Sequence, residues 1–236
     1  MRRSTRWAFL GRVPYREAET LQERLRAGVR AGTGAEHLLL LEHSHVFTLG
    51  RNADSGDVLV TREWLEMQGV EVAECDRGGQ VTYHGPGQLV GYPIVDLDPD
   101  RRDLRRYISD LQEVLIRTLT DFGLEAARRP GKGLIGVWVG EAKVASLGVH
   151  VQRWVTTHGF ALNVTTDLSY FSRIVPCGLD QVEMASIESL TGRRPELAAV
   201  AERVVAHFAD VFDRELVSAG AVLDSLPVLA ETGGPP

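Results

Sequence analysis

Cys177 stands in RIVPCGLD (173–180), between a proline that sets the direction of chain entry and a glycine that leaves the following N–H open. In that setting a sulfur can be presented to a pocket as a nucleophile, with the next N–H placed as an oxyanion donor. A packing cysteine is the alternative for the same residue, because free cysteine is among the most buried residue types. Cys75, before Asp76 at a strand end, keeps only the packing reading, since an adjacent carboxylate opposes thiolate formation. Lys132 and Lys143 are the only lysines beside 24 arginines. A chain that writes its positive charge as arginine and keeps a lysine points to a task in which a proton is lost, which a guanidinium cannot do. Lys132 lies in the turn-like PGKG (130–133) and carries less of that argument.

A third feature is the glycine-rich RGGQVTYHGPGQ (77–88), flanked by strand-like segments and holding Arg77, Tyr83 and His84. Its glycines let backbone approach a ligand and expose N–H donors, and Arg77 suits an anionic group. A structural double turn would use the same glycines. The segment lacks the GxxxxGK[ST] of a phosphate-binding loop and opens no helix, so nothing supports nucleoside triphosphate binding. His84, His150 and His158 match no zinc spacing, and His43 with His45 forms only an HxH on a strand. No metal is expected, and each histidine is read as satisfied by backbone partners.

These residues need elements to hold them. Tyr15, Ala18, Leu21 and Leu25 recur at spacings of three and four after Pro14, predicting an amphipathic helix that ends near Gly28. HLLLL (37–41) and VFTLG (46–50) read as short buried strands, TREWLEMQG (61–69) as a capped helix stopped by Gly69, and VEVAEC (70–75) as a strand. LVGYPIVDL (89–97), LIGVWVG (134–140), KVASLGVHV (143–151) and GFALNV (159–164) continue the strands. Leu104 to Phe122 marks a long helix closed by Gly123, and Pro195 opens a last one through about Leu216. The expected architecture is mixed α/β, a largely antiparallel mixed sheet flanked by helices. One domain is expected over 1–220, with 221–236 as a frayed tail. The longest aliphatic run, Leu38 to Leu41, is far short of the roughly 18 to 20 residues of a membrane span. The basic start has no apolar segment or cleavage site, so a cytoplasmic protein is expected. The net charge of −6 argues against nucleic acid as a partner.

Together, EHSHVFTLGR (42–51), RGGQVTYHGPGQLVGYPI (77–94), KVASLGV (143–149), THGFALNV (157–164) and PCG (176–178) resemble the lipoyl(octanoyl) transferases of lipoate biosynthesis over about residues 10 to 215. The resemblance implies the fold of biotin and lipoate protein ligases. It implies Cys177 as the acyl-thioester nucleophile and Lys143 as the group that favours its thiolate. It also implies an acyl site lined by Arg77, Gly78, Gly79, Gln80, Val81, Thr82, Tyr83 and His84, by Ser146, Leu147 and Gly148, and by Gly159, Phe160 and Ala161. The implied partners are octanoyl-acyl carrier protein, which brings the acyl group on its phosphopantetheine, and the lipoyl domains of 2-oxoacid dehydrogenase E2 subunits and the glycine cleavage H protein. No separate cofactor, nucleic acid or membrane enters, and a monomer is expected. Arg101, Arg102, Arg105 and Arg106, or Arg128 and Arg129, are candidates to dock the acidic carrier. An ATP-dependent lipoate or biotin ligase would share the fold but need no Cys/Lys pair, and a silent lipoyl-domain binding module would survive loss of Cys177. Ser44-His45 departs from the two prolines common in relatives and touches one loop.

Overall fold

The computed structural model describes residues 2–131, 133–175 and 182–219. Along these the elements run β1 (Arg3–Arg12), α1 (Tyr15–Arg30), β2 (Glu36–Glu42), β3 (Val46–Leu49), α2 (Arg62–Gln68), β4 (Glu71–Glu74), β5 (Val81–His84) and β6 (Gln88–Ile94). They continue with α3 (Leu104–Asp121), β7 (Ala126–Ala127), β8 (Gly136–Val139), β9 (Ala142–Gln152), β10 (Val155–Asn163), α4 (Ile187–Thr191), α5 (Leu197–Phe212) and β11 (Arg214–Ser218). An eight-stranded sheet in the order β11-β1-β2-β6-β10-β9-β8-β7 carries the fold, and a three-stranded sheet, β4-β3-β5, stands apart from it.

The run Leu38 to Leu41 shows why the large sheet is central. Leu38 and Leu40 enter the core under α3 and α5, while Leu39 and Leu41 enter the core under α1. A strand covered on both faces reads as unbroken aliphatic sequence because alternate side chains face opposite sides. The helices are stopped and started by local chemistry. Asp103 accepts hydrogen bonds from the N–H groups of Arg105 and Arg106 to open α3, Thr61 caps α2, and Gly69 closes it at φ 61°.

Four strands lie outside the predicted pattern: β1, β5 within the glycine-rich segment, the two-residue β7, and β11. β1 pairs in parallel with both β2 and β11, within a sheet whose remaining pairs are antiparallel. Its RSTRWAFLGR hides an alternation behind arginines, and one of them, Arg3, is drawn into ion pairs with Glu36 and Asp100. The last helix, expected through Leu216, ends at Phe212: Asp213 turns left-handed at φ 52°, and the chain returns as β11. Arg214 fixes that return, buried between Glu36 and Asp100 at 2.9 Å from each. The expected tail, 221–236, lies outside the described residues. No described helix is long and apolar enough to cross a membrane.

Candidate active site

A cavity of about 540 Å³, part of it open to solvent, lies between the large sheet and the segment that leads into β5. Arg77 to Thr82 and His84 border it on one side, and Ser146 to Gly148 with Gly159 to Ala161 border it on the other. The second border is bare by register: Ser146 faces Ala161, and Gly148 faces Gly159, on neighbouring strands. Leu147 and Phe160, the pair between them, pack into the core beneath α3 and α5. Gly159 cannot be larger, since a Cβ there would stand 2.3 Å from the Gly91 carbonyl oxygen. The Gly78 N–H donates to the Val149 carbonyl at 3.0 Å and holds the glycine segment down over this floor.

The strand order β6-β10-β9-β8 gives the cavity two ends. Lys143, only 3% exposed, marks the β8 end. Tyr92 of β6, Tyr15 of α1 and His158 of β10 mark the other. Cys177 lies outside the described residues. The described residues that follow it come directly to Lys143, whose N–H donates to the Glu183 carbonyl and whose carbonyl accepts from the Ala185 N–H.

Tyr83 is not brought to this cavity. The period of two along β5 turns it away from Thr82 and His84, into a cluster with Phe47, Val81 and Phe171. There its ring stacks on Tyr170 at 4.8 Å and its hydroxyl bonds His45 Nδ1 at 2.8 Å. Arg77 reaches the cavity, yet its donors are engaged locally: Nη2 with the Thr48 carbonyl at 2.6 Å and hydroxyl at 2.8 Å, Nη1 with the Gly78 carbonyl. The proposed carrier-docking arginines divide in the same way. Arg101 is buried, paired with Asp110 at 3.1 Å and donating to the Val211 carbonyl, so it holds α3 to α5 and offers no surface charge.

The lipoyl protein ligase A/B catalytic domain family matches residues 14–209. An octanoyltransferase of Solibacter usitatus is 53% identical over 208 residues, covering 88% of this chain and 93% of that protein. This chain belongs to the octanoyltransferase family. A second octanoyltransferase, of Geotalea uraniireducens, is 48% identical over 204 residues, 86% of this chain and 91% of that protein. Among solved structures, a bipartite lipoate protein ligase of Thermoplasma acidophilum superposes with a TM-score of 0.72 at 18% identity, over 92% of this chain and 86% of that one. That likeness concerns the fold.

Within this octanoyltransferase the β6 end is polar in composition, and burial favours the neutral forms of His43, His84, Tyr15 and Tyr92. His84 donates from Nδ1 to Gln88 Oε1 at 2.7 Å, and burial with nearby His43 and Arg77 pushes its pKa down to about 3. The remaining ring nitrogen, Nε2, is then an acceptor, on a side chain that borders the cavity. His43 donates from Nδ1 to the Val13 carbonyl, so its Nε2 accepts from the Tyr92 hydroxyl at 2.7 Å; burial lowers it to about 4. Burial raises the phenols of Tyr15 and Tyr92 well above their usual value. Asp76, next to Arg77, is clasped by His158 Nε2 at 2.8 Å and His150 Nδ1 at 2.5 Å. The hydrogen bond from His158, with the charges of His158, His150 and Arg26, holds its carboxyl down at about 2. His158 itself sits at φ 56°, a backbone state that non-glycine residues seldom adopt, with its N–H bonded to Gln22 of α1.

Sequence reasoning missed Tyr15, Tyr92 and Asp76 as neighbours of the site and weighed His158 only against a metal site. Tyr15 read as the first residue of a helix face and Tyr92 as part of a strand. Only the sheet register and the docking of α1 bring them together. Among the described residues no group of three His, Cys, Asp or Glu is placed to hold a metal. Cys75 takes its packing place, with Sγ donating to the Leu49 carbonyl at 3.3 Å.

Proposed function

We propose that this octanoyltransferase moves an octanoyl group from the phosphopantetheine thioester of acyl carrier protein to a lysine of a lipoyl domain, through a thioester on Cys177. The observation that carries this reading is a cavity floored by Ser146, Gly148, Gly159 and Ala161, bare of side-chain bulk, with the buried amine of Lys143 at one end. A flexible acyl chain lies against such a floor without displacing anything. Its carbonyl then sits at the lysine end.

A free thiol ionises at about pH 8.5, so only a few per cent is nucleophilic at neutral pH. Lys143 favours the thiolate either as a cation or as the base that takes its proton. The thiolate attacks the donor carbonyl, the C–S bond to pantetheine breaks, and the pantetheine thiol leaves with a proton. The two thioesters are nearly equal in energy. In the second step the neutral acceptor amine attacks the Cys177 thioester, the amine loses a proton and the thiol leaves. Amide formation makes the whole transfer downhill, so no ATP is needed. Lipoyl domains of 2-oxoacid dehydrogenase E2 subunits and the glycine cleavage H protein are the acceptors this chemistry fits, and the enzyme acts as a monomer.

Intact and peptide mass spectrometry after incubation with octanoyl-acyl carrier protein tests the reading. An octanoyl adduct is expected on Cys177 and none on Cys75, with ping-pong kinetics and no AMP released. Acyl mass on Cys75, or normal turnover in Cys177→Ser, overturns it.

A further inference from the structure

β8 lends the cavity no lining residue, yet it touches the cavity's lysine at two points. At Gly136 an added Cβ would stand 2.4 Å from Lys143 Cε and 2.6 Å from the Ala145 carbonyl oxygen. Only a glycine leaves the groove in which the lysine stem lies. Trp138 pairs with Lys143 across the ladder, just after a register shift between Val137 and Trp138. Its indole centroid is 5.6 Å from Lys143 Nζ.

Both contacts are themselves held in place. The Gly136 carbonyl accepts a hydrogen bond from the buried Gln112 of α3 at 2.8 Å. The Trp138 ring, 3% exposed, donates from Nε1 to the Leu134 carbonyl at 3.1 Å. The guanidinium of Arg129, paired with Glu141, lies 5.0 Å from the same ring centroid.

We infer that Gly136 and Trp138 are positioning residues for acyl transfer, the glycine admitting the Lys143 stem and the indole facing its amine. The inference rests on Lys143 being the amine that serves the reaction. A lysine side chain has four free torsions, and an amine that must meet a thiol and then an incoming amine gains rate when those torsions are restricted beforehand. An indole face is the strongest aromatic partner for a cation, so it steadies the lysine whenever the amine holds a proton. The register shift matters here, because it sets the phase in which Trp138 and Gly136 both meet one side chain.

The test is a double-mutant cycle on the full-length enzyme, measuring kcat and KM with octanoyl-acyl carrier protein. Trp138→Met should lower kcat about tenfold, and Trp138→Phe about threefold, with KM changed less than about twofold. In a Lys143→Ala background neither change should lower the residual rate further, because a residue that acts through the lysine has nothing left to act on. If Trp138→Met fails to fold, Trp138→Phe carries the cycle alone. An equal loss in both backgrounds shows that Trp138 only packs the sheet, and overturns the inference. Full turnover in Lys143→Ala overturns the lysine reading itself, and the positioning role falls with it; the two failures are told apart by that single variant.

Discussion

The two ends of the cavity handle buried polarity in opposite ways. At the β8 end one amine lies in a groove made by a missing side chain and faces an indole, an aromatic partner for positive charge. At the β6 end, His43, His84, Tyr15 and Tyr92 crowd together, and burial drives each toward its neutral form. The contrast teaches that a wall rich in titratable residues can still be kept uncharged where desolvation is strong enough. Arg77, the cation between the two ends, fits this pattern, because its donors are directed onto Thr48 and a neighbouring carbonyl.

The largest effect should come from the amine end. Lys143→Ala should reduce transfer by about 10²–10⁴-fold, the usual contribution of a positioned acid–base group. Lys143→Arg should lose nearly as much, with the loss concentrated in transfer to the acceptor amine, where a proton must be taken up and a guanidinium cannot take it. Measuring the pH dependence of Cys177 alkylation in both variants separates charge from proton transfer. A stabilising charge survives in Arg and not in Ala. The wider guanidinium also meets the narrow groove at Gly136, which the alkylation rate, reading charge rather than fit of the acyl chain, sets aside. Full turnover with normal thiol reactivity in Lys143→Arg would make Lys143 an electrostatic partner only.

The neutral end should respond through both activity and stability. His84→Ala leaves Gln88 Oε1 without its partner inside a buried network that runs on to Asn163 and the Ala185 carbonyl, at a cost of about 1–3 kcal/mol. His84→Asn is the sharper test, since its amide keeps a donor near Nδ1 and removes the acceptor at Nε2. It should hold the melting temperature near wild type and still lower transfer. Acid should unfold this end ahead of most carboxylates. His43 and His84 are lowered in the folded state to about 4 and about 3, below the unfolded value of about 6.5. The unfolded chain therefore binds the extra protons. Their contribution is intact above about pH 6.5 and falls away as pH drops toward 4 and 3, whereas that of Asp76, held at about 2, falls away only below about pH 4. Thermal melts from pH 7 to 4 should show a decline that His84→Asn makes shallower.

What the sequence made legible follows the same division. Lys143 and the glycine segment announce themselves through residue type, because a rare lysine and clustered glycines are visible in one dimension, whereas Ser146, Gly148, Gly159 and Ala161 enter through the family resemblance and show their pairing only in the strand register. The polar end does not announce itself, since Tyr15, Tyr92, His43 and Asp76 come from four separate segments and meet only through sheet register and the docking of α1. Tyr83 was misplaced for a related reason. It sits inside the glycine segment, but strand alternation sends it to the small core. β1 and β11 were hidden because their alternation is written partly in arginine, whose charge is answered by Glu36 and Asp100 far along the chain.

The smallest effect should come from a single hydroxyl, and it tests how self-contained the hydrogen bonding at the β6 end is. Tyr15 and Tyr92 are 2% and 3% exposed and both border the cavity, yet their hydroxyls differ. Tyr92 donates to His43 Nε2, whereas the Tyr15 hydroxyl has no partner at hydrogen-bonding distance among the described residues, and the weakly bonding Cys75 thiol is its polar neighbour. Tyr92→Phe should therefore orphan a buried ring nitrogen and cost about 1–3 kcal/mol. At roughly 2–4 °C per kcal/mol for a chain of this size, that is a readily measured fall in melting temperature. Tyr15→Phe removes a hydroxyl whose polar neighbour is only a thiol, so stability should stay within about 1 kcal/mol of wild type. Transfer should be kept, because the ring that closes the cavity remains. A Tyr15→Phe loss as large as that of Tyr92→Phe would mean that the hydroxyl holds a partner strong enough to matter, and the Cys75 thiol beside it is the group to replace next.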